Sequence, residues 1–308
     1  MNERRRLTLL LIALGAGWGL TQPLTKITVS GGYPALGLVF WQLLIGAVAL
    51  AVLLWRRLGR LPFSRTSLLV WLGVALIGTI LPNSASFRAA AHLPSGIMSI
   101  VIASVPIFAF PLALLLGVDR FSWLRLLGLL LGLGGVALIA LPEASLPDRA
   151  MVAFLPLALF APACYAMEAN AVAKWGTGRL EPVEVLFGAS VIGTLIAGPA
   201  AWSTGQFIVP GAPFVVQDAT MLASSLIHVA VYTGYVWLVG RAGATFAGQV
   251  AYLVTGFGVV WAMLLLGERY SLWVWAALGV MAAGLTLVQP RETVAVAGPN
   301  GESDLPLL

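Results

Sequence analysis

Residues 114–136, LLLGVDRFSWLRLLGLLLGLGGV, and residues 264–285, LLLGERYSLWVWAALGVMAAGL, are two versions of one pattern. Each closes an apolar run on leucines, turns through an acid, an arginine, an aromatic residue and a serine, and re-enters an apolar run. At a shift of 149 positions Asp119-Arg120-Phe121-Ser122 falls on Glu268-Arg269-Tyr270-Ser271, and Gly135 falls on Gly284. At a shift of 148, Lys26 falls on Lys174 and Pro34 on Pro182, each pair marking the end of one apolar run and the start of the next. The chain is one unit used twice, so the fold follows from counting the runs in a unit.

A helix needs about 20 apolar residues to cross the hydrocarbon core of a bilayer, and runs of that length fill most of the 308 residues. They fall at 7–29, 34–55, 67–90, 95–117, 121–141, 150–175, 182–203, 215–239, 244–266 and 272–289, five to each half. Charged residues make up 9% of the chain, against about 25% in a soluble domain, so lipid is the solvent for most of it. Membrane β-barrels show alternating segments of about ten residues, and these continuous Leu/Ala/Val/Gly runs are not of that kind. The expected fold is all-α integral membrane, with ten transmembrane helices as two five-helix repeats. The repeats cover 1–141 and 150–289, joined by a linker at 142–149. The tail at 290–308 is polar and turn-rich and is expected to be disordered. MNERRR before LTLLLIALGAG has the look of a secretory signal, but the apolar run continues past Trp18 to Val29, which makes it an uncleaved first span.

Lys and Arg set the orientation, because cytoplasmic loops carry the excess of positive charge. With the N-terminus inside, the cytoplasmic loops and ends hold Arg4, Arg5, Arg6, Arg56, Arg57, Arg60, Arg65, Arg120, Arg125, Lys174, Arg179, Arg241 and Arg291. The opposite side holds only Lys26, Arg88, Arg149 and Arg269, a ratio of 13 to 4. An even number of spans returns the C-terminus to the same side, so both termini are expected to be cytoplasmic. A net charge of +5 is accounted for by these loops, and no basic face interleaved with aromatics points to nucleic acid.

Because five is odd, the second unit enters the membrane from the opposite side, and the halves are related by an axis in the membrane plane. Inverted repeats of this kind recur among secondary transporters. Two near-equivalent halves exchange conformations around one central site, which is the physical basis of alternating access. The residues also carry a resemblance: the two quoted segments, with IALGAGWGLTQPLTKI at 12–27 and IVIASVPIFAFPLALLLG at 100–117, resemble the EamA-type transporters of the drug/metabolite transporter superfamily. The resemblance covers 7–289 and, within that superfamily, is closest to bacterial exporters of amino acids, aromatic ones included. It implies a multi-pass protein of the bacterial cytoplasmic (inner) membrane that exports a small amphipathic metabolite, with a multidrug or broader metabolite exporter as the alternative. The second repeat departs from the first at Thr255, where the first has Pro106, and at Gly267-Glu268, where the first has Val118-Asp119.

Polar side chains are costly in lipid and mark function. Trp18, Gln22 and Thr25 share one face of the first helix by their spacing, as do Thr79, Asn83, Ser86 and Phe87 on the third. The sixth offers Tyr165 and Glu168, the eighth Ser225, His228, Tyr232 and Tyr235, and the ninth Thr245, Gln249 and Tyr252. From these the candidate substrate-binding set is Trp18, Gln22, Asn83, Phe87, Tyr165, His228, Tyr232, Gln249 and Tyr252, while isolated Ser and Thr are read as glue between helices, at about 0.6 kcal/mol each. Glu168, whose charge would cost about 2.5–3.5 kcal/mol at mid-bilayer, and His228, which titrates near neutral pH, are the candidates for proton coupling. Pro23 and Pro106 are the candidate hinges, and Trp55, Trp71, Trp123, Trp175, Trp202, Trp273 and Trp275 are read as interfacial anchors.

The residue inventory argues against other classes. One cysteine, Cys164, and two histidines supply neither a disulfide framework nor a metal cluster, and no cofactor is expected. An intramembrane enzyme would need a nucleophile with an acid/base pair, and no nucleotide-binding GxxxxGK[ST] loop is present. The expected partners are the substrate and membrane lipid, with the chain a monomer or weak homo-oligomer.

Overall fold

The structure, a computed structural model, describes residues 3–56, 61–141, 146–211, 213–242, 246–247 and 249–287. Arg57, Arg60, Thr245, Arg291 and the tail at 290–308 lie outside the described residues, as do 142–145 of the expected linker and the side chain of Arg4. Every regular element among the described residues is a helix: α1 Glu3–Ser30, α2 Ala35–Leu54, α3 Arg65–His92, α4 Ser95–Leu116, α5 Trp123–Ala140, α6 Arg149–Trp175, α7 Pro182–Ser203, α8 Val216–Ala242, α9 Val250–Leu266 and α10 Leu272–Leu287. The first eight are long and apolar enough to cross a bilayer, and α9 and α10 are shorter apolar helices. Their outward faces are leucine and valine: Val52, Leu115, Leu195 and Leu264 are each about 70% exposed or more. Only a lipid solvent makes such a surface stable.

Helix pairing repeats the symmetry of the sequence. α1 packs against α8 and α9, and correspondingly α6 packs against α3 and α4; α2 meets α8 as α7 meets α3. The pairs α2 with α7, α4 with α9 and α5 with α10 map onto themselves when the halves are exchanged. Glycines allow the closest of these approaches, since helices in lipid associate through small residues. Gly15 lies against Leu253 and Gly19 against Phe257 and Gly258, joining α1 to α9. On α5 and α10, Gly284 stands over the Gly128 carbonyl and the Gly132 amide, and Gly135 over Met281. The helix ends are stitched as well. Arg241 pairs with Glu3 at 2.8 Å where α8 ends beside the start of α1. At the other end, the Tyr33 hydroxyl donates to Asp218 at 2.6 Å, and burial followed by this bond pushes the phenol up to about 12.

Among the described residues, α3 and α4 are each interrupted mid-span beside a proline. A Pro in a helix interior has no N–H to give and its ring crowds the carbonyl four residues earlier. In α3 the stretch Val74–Ile80, just before Pro82, is π-helical. In α4 the chain turns at Ala103 and Ser104 between the helical segments Ser95–Ile102 and Val105–Leu116, and Pro106 lies in the first turn of the second. There the Ser104 hydroxyl donates to Val101 O at 2.6 Å and the Ile107 amide to Ser104 O at 2.8 Å. The repeat-related position in α9 is Thr255, whose helix runs through unbroken with the hydroxyl on Ala251 O at 3.1 Å. Pro23 sits within a continuous α1. Six of the seven expected anchor tryptophans are exposed, but Trp71 is 3% exposed. Its indole covers Gly188 of α7 and donates to Glu184 O at 3.1 Å, so it is a packing residue and not an interfacial one.

The glycine contact of α5 with α10 predicts that Gly284→Val destabilises the bundle by about 1–3 kcal/mol, the usual range for overpacking. Gly279→Val on the same helix, where a Cβ meets nothing within 4 Å, serves as the control. Thermal unfolding of the two variants in detergent checks the difference.

Candidate functional site

Trp18 on α1 meets an aromatic stripe on α8. The two helices come close because Gly17 lies against Val231 and Gly234 against Leu14. The Trp18 indole N–H donates to His228 Nδ1 at 3.2 Å, and its ring lies 6.4 Å from Tyr232 and 5.5 Å from Tyr235, centre to centre. These are tilted and edge-on geometries, which the ring quadrupoles favour. With an N–H aimed at it, Nδ1 of His228 is an acceptor, which places the ring proton on Nε2.

A second polar group is a chain of amides. The Tyr165 hydroxyl of α6 donates to Asn83 Oδ1 at 2.8 Å, and Asn83 Nδ2 donates to Gln42 Oε1 of α2 at 2.9 Å. Gln42 is absent from the set expected from sequence. It is the one strongly polar residue in the helix ALGLVFWQLLIGAVALAVLL, so it forms no periodic stripe, and its isolation in an apolar run was the available signal. Phe87 packs beside the network, against the cluster built on Val39 and Leu43.

Glu168 stands between the two groups. Its carboxylate rests against Gly78 of the π-helical stretch, and its charge reaches the phenols of both Tyr165 and Tyr232. Among the described residues it makes no hydrogen bond or ion pair. Lys174, six residues on, turns instead to Leu116 O at 2.9 Å and lies over the Trp175 ring. Trp18, Gln22, Asn83, Tyr165, Glu168, His228, Tyr232 and Tyr235 are all half-buried, each keeping accessible surface although it lies along a helix. A separate cavity of about 530 Å³ opens at the end of α1 between Lys26, Gln217 and Glu268.

The repeat explains the layout. At a shift of 149, Thr79, Asn83 and Ser86 of α3 fall on His228, Tyr232 and Tyr235 of α8. One helical stripe, copied, therefore lines both sides of the site, with small polar groups in the first half and aromatic ones in the second. Gln22 has no hydrogen-bond partner among the described residues. Gln249 stands exposed as the residue capping the start of α9, and Tyr252 follows it in the first turn, so the structure does not bring Gln249 to the Trp18 wall. Among the described residues, no group of three or more His, Cys, Asp or Glu is placed to hold a metal ion.

A bundle of apolar helices, paired by halves around half-buried aromatic and amide side chains, is the build of a multi-pass membrane transporter. The chain belongs to the EamA-like transporter family, whose pattern matches twice, over residues 6–141 and 152–289. It is 25% identical to an uncharacterized transporter, YvbV, of Bacillus subtilis (strain 168), over 97% of this chain and 96% of that one. A protein of known crystal structure shares the fold with a TM-score of 0.59 at 17% identity, over 92% of this chain and 96% of its own. The family and this relative point to a transporter and not an enzyme.

Because Asn83 joins Gln42 to Tyr165, Gln42→Leu and Asn83→Leu are expected to be non-additive. The double variant is expected to unfold within about 0.5 kcal/mol of the worse single one, since residues sharing one hydrogen bond couple. Melting of the two single variants and the double variant in detergent reads the coupling.

Proposed function

We propose that this protein is a secondary transporter that exports small metabolites from the cytoplasm by alternating access, with amino acids bearing aromatic or other apolar side chains as its foremost substrates. The observation that carries the reading is the pairing of an aromatic wall at Trp18 and Tyr232 with the Gln42, Asn83 and Tyr165 network, both within reach of the Glu168 charge. An apolar ring stacks on the wall and gains area burial, while the amides and phenols bond the polar end. Ten spans with both termini cytoplasmic, as the 13 to 4 charge count gives, place the second unit upside down relative to the first. The two halves then exchange roles as the site opens to either face. Pro23 and the break at Pro106 are the places where such a motion bends helices. Glu168 carries the coupling proton, with His228 on α8 the second candidate for that role. The setting is a bacterial inner membrane, and one chain supplies all of these residues, so a monomer suffices.

A broader exporter specificity is favoured by one further observation. Every described Lys and Arg stands toward a helix end, so a substrate carboxylate meets amides and phenols at the site and no fixed cation.

Labelled aromatic amino acids loaded into proteoliposomes are expected to show saturable efflux and counterflow, and a panel extended to organic amines measures the breadth. Unitary currents without counterflow would replace the carrier by a channel. Trp18→Ala and Gln22→Ala are each expected to lower transport at normal membrane abundance; unchanged transport in both removes those residues from the site. Glu168→Gln is expected to abolish the pH dependence of efflux, and retained dependence returns the carboxylate to a structural role.

A further inference from the structure

Gly78 and Pro82 lie four residues apart on α3. Proline at position 82 therefore withdraws the donor that the Gly78 carbonyl would use in an α-helix, and sets its ring against that carbonyl. The helix responds by widening: Val74–Ile80 is π-helical, and the Leu81 amide reaches back five residues to Leu76 O. Single π turns inside α-helices gather at functional sites. Here the wide turn carries a residue without a side chain, and the end of Glu168 occupies the vacancy. A Cβ on Gly78 would stand 2.5 Å from Oε2 and 2.6 Å from Oε1 and Cδ of Glu168, closer than real Cβ contacts allow.

We infer that Gly78, in the wide turn imposed by Pro82, is a positioning residue that seats the Glu168 carboxylate in the transport site and so sets how readily that carboxylate exchanges its proton. The inference rests on the reading of Glu168 as the proton-coupling group. The carboxylate is the far end of a flexible side chain, so an added methyl group displaces it and leaves the backbone in place. The titratable groups around it are few. Cys164, Tyr165 and Lys174 belong to its own helix, Lys174 turned away to Leu116 O, and Tyr232 lies within reach of its charge from α8. Those of α3 are Arg65, Arg88 and His92 at its two ends, and α4, also packed on α6, has none.

The test uses the full chain in proteoliposomes, with efflux of a labelled aromatic amino acid measured across pH at equal pH on both sides. Gly78→Ala is expected to move the midpoint by about one unit, a tenfold change in proton affinity. Gly73→Ala, on the same helix where a Cβ meets nothing within 4 Å, is expected to leave it in place. Shortening the acid by one methylene, in the double variant Gly78→Ala with Glu168→Asp, is expected to return the midpoint toward that of the parent. Pro82→Ala restores the missing donor without adding an atom at Gly78, and is expected to move the profile as well, which covers the case in which Gly78→Ala does not fold. In the folded variants, an efflux midpoint and a Glu168 labelling profile that both stay in place, or an equal movement in Gly73→Ala, overturn the inference. The pH profile of carbodiimide labelling at Glu168, read by mass spectrometry, separates the two ideas. A labelling profile shifted by Gly78→Ala supports the seat even if Glu168→Gln keeps pH-dependent transport, a result that removes the coupling role alone. An unshifted profile removes the seat and leaves the coupling role standing.

Discussion

In lipid, no water is at hand to satisfy a freed backbone group, so every N–H and C=O in a span must find its partner within the protein. This constraint decides where the chain is allowed to be irregular. The π-helical stretch of α3 and the break in α4 both occur beside prolines in helices that pack on α6 and so stay within the bundle. The α4 break is mended by the Ser104 hydroxyl and the Ile107 amide, and the α3 widening by longer-range bonds of its own backbone. Lipid-facing helices such as α5 and α10 carry no proline within their helical spans, and they approach closely at their glycines.

Duplication explains the scaffold and divergence explains the site. The pairings of helices survive exchange of the halves, yet the side chains that meet at the centre do not match. A pair of identical stripes would offer the same chemistry from both halves. Replacing Thr79, Asn83 and Ser86 by His228, Tyr232 and Tyr235 in the second copy makes one stripe polar and the other aromatic. The turn acids diverge in the same way. Asp119 pairs with the buried Arg125 inside its own half, whereas Glu268 reaches across to the Ser95 and Gly96 amides at the start of α4 and accepts from Tyr270 at 2.5 Å.

What could be read beforehand was whatever leaves a periodic or repeated trace. Apolar runs, the repeat at 148 to 149 positions and the stripes of α1, α3 and α8 all do so, and the structure puts Trp18 of one stripe against His228 and Tyr232 of another. Gln42 left no stripe, because a single amide in a run of aliphatics has no period. Trp71 looked like an interfacial anchor because its depth along the helix is right; its burial depends on Gly188 of α7, a contact between residues 117 positions apart. The widening at Gly78 had its cause in plain view at Pro82, but a proline permits a kink, a break or a wide turn, and only packing against α6 selects among them. Gln249 sat in phase with Tyr252, but it caps the start of α9 at the bundle's end, so its phase says nothing about depth.

The acids of the bundle sharpen the case for Glu168. Asp218 is 1% exposed and fully engaged, taking the Tyr33 hydroxyl at 2.6 Å and the Val215 amide at 3.1 Å, so its charge ties α8 to the chain before α2. Asp119 and Glu268 are engaged in the same sense, one with an arginine and one with a helix start. Each of these carboxylates stabilises something that a neutral side chain of equal size would not. Glu168 stabilises no such contact among the described residues, yet its insertion costs about 2.5–3.5 kcal/mol, and a Gln or Met would fill the same space on Gly78 without that cost. A charge that contributes nothing to packing and opposes insertion is a liability to folding alone. Its place beside the phenols of Tyr165 and Tyr232 is what the proposed proton exchange would account for, since that role uses the charge itself.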